Sequence, residues 1–433
     1  MDASDVVVAG GGPAGLAAAL ALARRGARVT LVERDRLDAR AEPADAFRIA
    51  RDGIAHYDAP HAFLPRSAKV LRERLPDVYA VLVELGALEL QIARDQPDSR
   101  PEDVELILLC VRRPLIEWAL RDAVLRESLV DVVTGRIEGV VVDGGEVVGL
   151  ETTEGEIRAP LVVDAMGRTS RVRRWLDVPE ESHEVGLIYY SRYFQLREGL
   201  DFPPCANPFG PRVDLGYALV ASFIGDNSTF AIALMVPARD RELKTALRDP
   251  DRFVAACAAL PQTRDWVDPA LSRPITGVDS MGALQTTWRA YERQAPPGFV
   301  AVADAFCHTD PGWALGLSLG LVHGFALADA DGDVDAFWAA IVPELRERFE
   351  LARDVAAARL AGLRGERATP SEAAAAFSAL FAAAQGDPDL FRVAYRRHGF
   401  LDRLTPLDGL PEPSPPPGPP LARDTLLGQI HAA

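Results

Sequence analysis

Lysine is almost missing from this chain: Lys69 and Lys244 are the only two among 433 residues, while arginine and alanine abound. That bias reads as the codon usage of a GC-rich source, and it leaves arginine as the cation available to any site. Cysteine is scarce too. Cys110, Cys205, Cys257 and Cys307 form no CxxC pair and no metal-ligand spacing, which excludes a zinc ribbon or a disulfide scaffold and predicts structural thiols in a reducing compartment. No apolar run reaches the roughly eighteen residues needed to span a bilayer. The apolar start lacks a basic region and is broken by glycines, which argues against a secretory signal. A net charge of −16 speaks against nucleic acid and anionic membranes as partners, since both need a basic face. The expectation is a cytoplasmic protein without a metal, a nucleic-acid partner or a membrane. What is plentiful is core: 48% hydrophobic and 25% charged residues, over a length sufficient for two or three structural units.

The most informative stretch opens the chain. Asp5-Val-Val-Val-Ala9 is a buried strand, Gly10-Gly-Gly12-Pro13-Ala14-Gly15 a glycine turn, Leu16 to Arg25 a helix, and Ala27 to Glu33 a second strand ending on an acid. Each position answers a physical demand of a dinucleotide. Gly10 permits the tight turn, Gly12 lets the backbone approach the pyrophosphate, and Gly15 lets helix and strand pack closely. Glu33 is placed to accept hydrogen bonds from a ribose, and its charge repels a 2′-phosphate, so the site suits FAD or NAD over NADP.

Downstream, Asp35 to Pro65 is irregular and Ser67 to Leu90 is helical in period with a turn at Leu75-Pro76-Asp77. Val104 to Val111 reads as a strand and Pro114 to Glu127 as a helix, and an antiparallel insert runs from Val130 to Glu151. Leu161-Val-Val-Asp164 and Phe299-Val-Ala-Val-Ala-Asp304 repeat the pattern of a strand ending on an acid. Between them, Leu187 to Phe194, Tyr217 to Phe223 and Thr229 to Met235 read as long strands of a separate sheet, with aromatics available to a substrate cavity. Trp288 and Trp313 are expected on the same side. Helices follow Leu315. The Pro-rich stretch Pro411 to Pro420 and the tail after it contain nothing that packs a core.

Residues at the carboxyl ends of parallel strands line the ligand crevice of an open α/β sheet. Gly10 to Gly15, Asp164-Ala-Met-Gly-Arg168-Thr-Ser170 and Asp304 through His308-Thr-Asp-Pro311-Gly-Trp-Ala-Leu-Gly316 therefore converge. With Cys110-Val-Arg-Arg113-Pro-Leu-Ile-Glu117-Trp118, these motifs resemble the FAD-dependent aromatic-hydroxylase (group A flavoprotein) superfamily over roughly residues 4 to 330. Within it, the chain most resembles bacterial monooxygenases that epoxidise or hydroxylate natural products.

The resemblance implies an α/β fold, with a Rossmann-like FAD-binding domain on a parallel sheet (1–182 and 275–335) and an antiparallel β-sheet substrate domain (183–274). C-terminal helices (336–405) and a Pro-rich tail (406–433) complete it. It implies that Gly10, Gly12, Pro13, Ala14, Gly15, Glu33 and Arg34 hold the ADP half of FAD and that Arg113 lies near the diphosphate or ribose. Asp164 and Arg168 form the second motif, Asp304 binds the ribityl chain, and Pro311 to Gly316 leads into a helix facing the flavin. For such an enzyme the oxidant is a flavin hydroperoxide, so the protein supplies no nucleophile. Its partners are O2, a hydrophobic small-molecule substrate, and NAD(P)H or a separate flavin reductase as the electron source. His308, Tyr190 and Arg192 are the catalytic candidates, with Tyr193 beside them. The chain departs from the pattern at Ala303 and Ala314, where glycines are usual, and between His56 and His61, which keep one of the usual closely spaced histidines. A halogenase reading lacks its Trp-x-Trp-x-Ile-Pro stretch and would need Lys69 as its lysine. The FAD motifs also fit a prenyl-chain reductase, and the two alanines leave room for a non-catalytic flavin-fold binding protein.

Overall fold

The computed structural model describes residues 4 to 432 apart from 38–41, 49–50, 52–53, 55–56, 206, 367–368, 406–409 and 411–420. His56 and the Pro-rich stretch therefore lie outside the described residues. The valine-rich runs that lack alternation are strands of a parallel sheet, four of them buried on both faces beneath helices and Val130–Thr134, at one edge, partly exposed. Five of them pair in parallel in the order Phe299–Ala301, Leu161–Asp164, Val6–Ala9, Val29–Glu33, Val130–Thr134. The three strands that end on or beside the glycine turn, Asp164 and Asp304 are neighbours in that order.

The antiparallel insert forms from Ile137–Asp143, Glu146–Thr152 and Gly155–Arg158. The aromatic runs form a second, antiparallel sheet in which Leu187–Leu196 pairs with Thr229–Pro237, and Thr229–Pro237 pairs with Leu219–Ile224. Three expected elements shift. Val130–Thr134, expected in the antiparallel insert, pairs in parallel with Val29–Glu33 instead. The helical run after Ser67 is two helices, Pro65–Arg74 and Pro76–Glu84, followed by a strand, Leu88–Gln91. The strand expected from Val104 begins at Ile107, because Pro101–Glu105 is a 3-10 turn carrying a capping box from Asp103.

The tail is corrected more substantially. Arg423–Ala432 is a helix that buries Leu426, Leu427 and Ile430 in the core beneath the antiparallel sheet. Arg423 ties it down by ion pairs to Asp240 (2.7 Å) and Glu242 (2.6 Å). No helix among the described residues is long and apolar enough to cross a membrane.

Two helices fix the site. Pro13–Ala23 and Leu315–Asp329 lie side by side, and each is buried along most of its length. Their contact is made by the smallest residues. A Cβ added to Gly320 would stand 3.1 Å from the Ala14 Cα, and one added to Gly324 would stand 2.9 Å from the Ala18 nitrogen. A larger side chain there must push the helices apart. Gly324→Leu is expected to cost about 1–3 kcal/mol by overpacking, read as a lower midpoint in thermal or urea unfolding.

Candidate functional site

The turns after the three adjacent parallel strands open into one cavity of about 700 Å³, within the size range of cofactor sites. Its floor at one end is the glycine turn. Gly10 has φ +101°, and a Cβ on Gly15 would stand 1.8 Å from the Gly10 oxygen, so neither position accepts a side chain. A Cβ on Gly12 would meet nothing within 4 Å, because the cavity lies on that side. The helix Pro13–Ala23 starts at Gly12 with no side-chain cap, and Leu315–Asp329 starts at Ala314 with none either. Both helix starts line the cavity and offer it uncapped N–H groups and the positive ends of their dipoles.

Charge is distributed along the cavity. At the end of Val29–Glu33, Glu33 accepts hydrogen bonds from Gly11 N–H (2.6 Å) and Asp35 N–H (2.9 Å). Beside it Arg51, with 4% of its side chain exposed, ion-pairs with Asp35 (2.9 Å), Glu117 (3.3 Å) and Glu33 (3.4 Å). Burial alone would lower the Arg51 pKa, yet the Glu117, Glu33 and Asp35 carboxylates hold it above its ordinary value. Arg113 pairs with Glu117 at 2.7 Å and joins the same network.

Farther along, the Asp304 carboxylate accepts no hydrogen bond from a described residue. Burial raises its pKa, against the pull of Arg113, Arg168 and Arg289. A carboxylate in that state is matched to ligand hydroxyls. The glycine cradle, the two uncapped helix starts and the unpartnered acid together fit a dinucleotide such as FAD.

At its far end the cavity adjoins a smaller apolar pocket of about 70 Å³, with His61, Ala62, Phe223 and Ala314 on both. Leu64, Leu108, Tyr189, Phe209, Ala221 and Met235 are among its other wall residues, and Arg212 and His398 supply polar groups to it.

Of the residues expected from sequence, Gly10, Gly12, Pro13, Ala14, Glu33, Arg34, Arg113, Arg168, Asp304, Pro311 and Gly316 line the large cavity. Gly15 packs behind it. Asp164 is a correction: it is fully buried off the wall, where its carboxylate takes Met166 N–H (3.0 Å) and the Ser170 hydroxyl and so shapes the second turn. Burial pushes its pKa up to about 6.

His308 is a second correction. It sits in a short strand paired with Thr287, off the cavity wall, with a buried Nδ1 that has no partner. Burial, with Arg289 and Arg168, pushes its pKa down to about 3, so at neutral pH it is a neutral imidazole and does not act as a cationic acid. Tyr190 and Arg192 are corrected by strand parity. Tyr190 packs into the core beneath the sheet, and Arg192 bonds the Thr276 and Pro250 carbonyls. The opposite face carries Tyr189 towards the pockets. Trp288 packs on Phe306 and Phe349, and Trp313 on Phe377, and neither lines either of these two pockets. Phe223 and Asp310, which lie in stretches expected at the crevice, do line it, whereas sequence reading missed Arg51 and Met281, which line it too.

Ala303 and Ala314 line the cavity with φ of 50° and 55°. Both keep the left-handed backbone that favours glycine, at a cost of about 1–2 kcal/mol each. Ala303→Gly and Ala314→Gly, singly and together, are expected to leave the melting temperature at or above that of the parent, because relief of this strain offsets glycine's entropy. Removing two methyls from the wall should also lower the Kd for FAD several-fold in a fluorescence titration.

The Ala303 N–H donates to Nδ1 of His323 at 3.0 Å. His323 is 1% exposed, and burial holds its pKa at about 3, against 6.5 in the unfolded chain. The unfolded chain thus binds a proton that the folded one refuses. This contribution to stability is complete above about pH 6.5 and is lost as pH falls towards 3. Asp164 acts in the opposite sense between about pH 4 and 6, so a paired comparison isolates the histidine. Glutamine can accept the same bond without titrating. His323→Gln is expected to lose about 1–2 kcal/mol less than the parent between pH 7 and pH 5 in urea unfolding.

Residues 5–98 match the family model described as FAD dependent oxidoreductase. The chain is 31% identical over 204 residues to the 6-methylpretetramide 4-monooxygenase of Streptomyces rimosus, a match covering 42% of this chain and 43% of that protein. The chain spans about two-fifths of the length of the curated relatives it matches. Among solved structures it is similar to the flavin-dependent brominase Bmp2, with TM-score 0.65 and 16% identity over 95% of this chain and 96% of that one. PqsL, a probable FAD-dependent monooxygenase from Pseudomonas aeruginosa, gives TM-score 0.62 and 18% identity over 84% of this chain and 99% of that one. At such identities the likeness establishes the fold. Residues 5–98 are thus similar to FAD dependent oxidoreductases, and the chain shares its fold with these flavin-dependent proteins.

Proposed function

We propose that this chain binds FAD and acts as a monooxygenase that inserts one oxygen atom, by epoxidation or hydroxylation, into a hydrophobic natural-product intermediate. The observation that carries this reading is the continuity of the two cavities. A glycine-floored site of dinucleotide size shares His61, Ala62, Phe223 and Ala314 with a smaller apolar pocket. When bound, FAD would supply the activation of dioxygen.

The chain's own residues bind, orient and exclude water. The N–H groups at the start of Pro13–Ala23 would hold its diphosphate and Asp304 would accept a hydroxyl of its ribityl chain, while the start of Leu315–Asp329 would offer N–H groups and a positive dipole end to negative charge on its ring. Phe223 and Ala62, which line both pockets, would keep their junction dry. Electrons come from NAD(P)H or a separate flavin reductase.

The likeness to a brominase raises the halogenase reading. Against it, Lys69 is engaged by Glu105 and Lys244 by the Ala238 carbonyl, and neither residue lines either cavity.

FAD titration comes first. Bound flavin is expected, and no binding at high micromolar FAD would sink every redox reading in favour of a binding protein. Deletion of the gene in its host should then accumulate a compound one oxygen atom lighter than the normal product. Fed to the holoenzyme with a reductant and labelled dioxygen, that compound should gain one labelled oxygen without halide. A halide requirement would establish the halogenase reading instead.

A further inference from the structure

Asp310 stands at the entry to the turn that leads into Leu315–Asp329, and four parts of the chain meet on it. Its Oδ1 accepts the Gly312 N–H at 3.1 Å and the Tyr189 hydroxyl. Its Oδ2 takes Nη1 of Arg359 at 3.0 Å, and its own N–H donates to Thr286 Oγ1 at 3.2 Å. Tyr189 comes from the long strand Leu187–Leu196, Thr286 from Gln285–Arg289, and Arg359 from the thirty-residue helix Val334–Leu363. Asp310 is 2% exposed, and Arg359 is its one ion-pair partner among the described residues.

This hub holds one of the two strained turns of the wall. Asp310, Pro311, Ala314, Leu315 and Gly316 all line the large cavity, and Ala314 holds φ at 55° without being a glycine. A turn containing such a residue persists only where its surroundings over-determine it. The carboxylate does so by capping Gly312, and Tyr189 and Arg359 in turn fix the carboxylate. Tyr189 remains a neutral donor, because burial and the adjacent Asp310 charge raise its pKa well above the ordinary tyrosine range. Arg359 is therefore the group that balances Asp310's charge.

We propose that Arg359 is a positioning residue for the flavin end of the cavity: through Asp310 it fixes the Asp310–Gly316 turn and cancels the carboxylate's charge there. The second half rests on the FAD reading above. Without Arg359 a buried negative charge stands uncompensated beside the place where a reduced ring would bring another, so the reduced cofactor loses more affinity than the oxidised one.

The test compares the full-length parent with Arg359→Gln, Arg359→Lys and Arg359→Gln/Asp310→Asn. Tyr189→Phe, which keeps the ion pair, serves as a second single variant should the glutamine variant fail to fold. Hydrogen–deuterium exchange without added FAD should rise in the peptide spanning 310–316 of Arg359→Gln and stay unchanged in the parallel strands. Arg359→Lys should restore protection, and Tyr189→Phe should give a smaller rise.

With FAD, Arg359→Gln should weaken binding about tenfold and shift the reduction equilibrium against a reference dye towards oxidised flavin. The double variant should recover that equilibrium. Parent-like exchange at 310–316 in Arg359→Gln, or a rise spread evenly over the whole chain, would overturn the proposal. So would an unshifted reduction equilibrium. A parent that binds no FAD, with exchange still rising at 310–316, would remove the monooxygenase reading while supporting Arg359's hold on the turn.

Discussion

The contact between Pro13–Ala23 and Leu315–Asp329 is the constraint on which the site depends. These helices lie some three hundred residues apart in sequence, and their N-termini line one cavity side by side because Gly320 and Gly324 let them touch backbone to backbone. A nucleotide's two anionic regions, its diphosphate and its reduced ring, each need a helix start. The spacing between those starts is set by the absence of side chains at the crossing. The parallel sheet supports this arrangement from below, since the strands preceding both helix starts flank Leu161–Asp164.

The two ends of the cavity solve the same backbone problem with different residues. At the diphosphate end Gly10 adopts a positive φ at no steric cost. At the ring end Ala303 and Ala314 adopt positive φ with a methyl each, and both are held from outside the turn, by His323 and by the Asp310 cluster respectively. Strain is thus concentrated where the cavity meets the apolar pocket, and neighbouring elements bear it.

Much of this is legible in the sequence, and the rest is not for identifiable reasons. The glycine turn, Glu33, Asp304 and the parallel strands are readable because each position answers a local demand of backbone or phosphate. The substitutions at Ala303 and Ala314 are visible as departures, although their left-handed backbone is not. Tyr190 and Arg192 fall on the wrong face because Leu187-Ile-Tyr-Tyr-Ser-Arg-Tyr-Phe194 carries aromatics at both parities, and a slip of one residue turns a strand over. Arg51 lies in an irregular segment without period, so nothing local marks it as the hub of three carboxylates. Asp164 resembles a ligand because it ends a strand as Asp304 does; only the positions of Ser170 and Met166 show that its bonds are already made. Arg359 and Asp310 are forty-nine residues apart, with no pattern linking them.

The helix Arg423–Ala432 bears on how the chain is made. It completes the apolar core under the antiparallel sheet and is fastened to Asp240, 183 residues earlier in the chain. On a ribosome, the strands and helices of that sheet emerge long before the segment that covers them. Their apolar underside, Phe253 and Trp266 among it, therefore waits incomplete while the intervening helices are synthesised. Contacts of such separation close late and slowly. The nucleotide-binding sheet has a similar dependence on Phe299–Ala301, so both cores finish forming after most of the chain has left the tunnel.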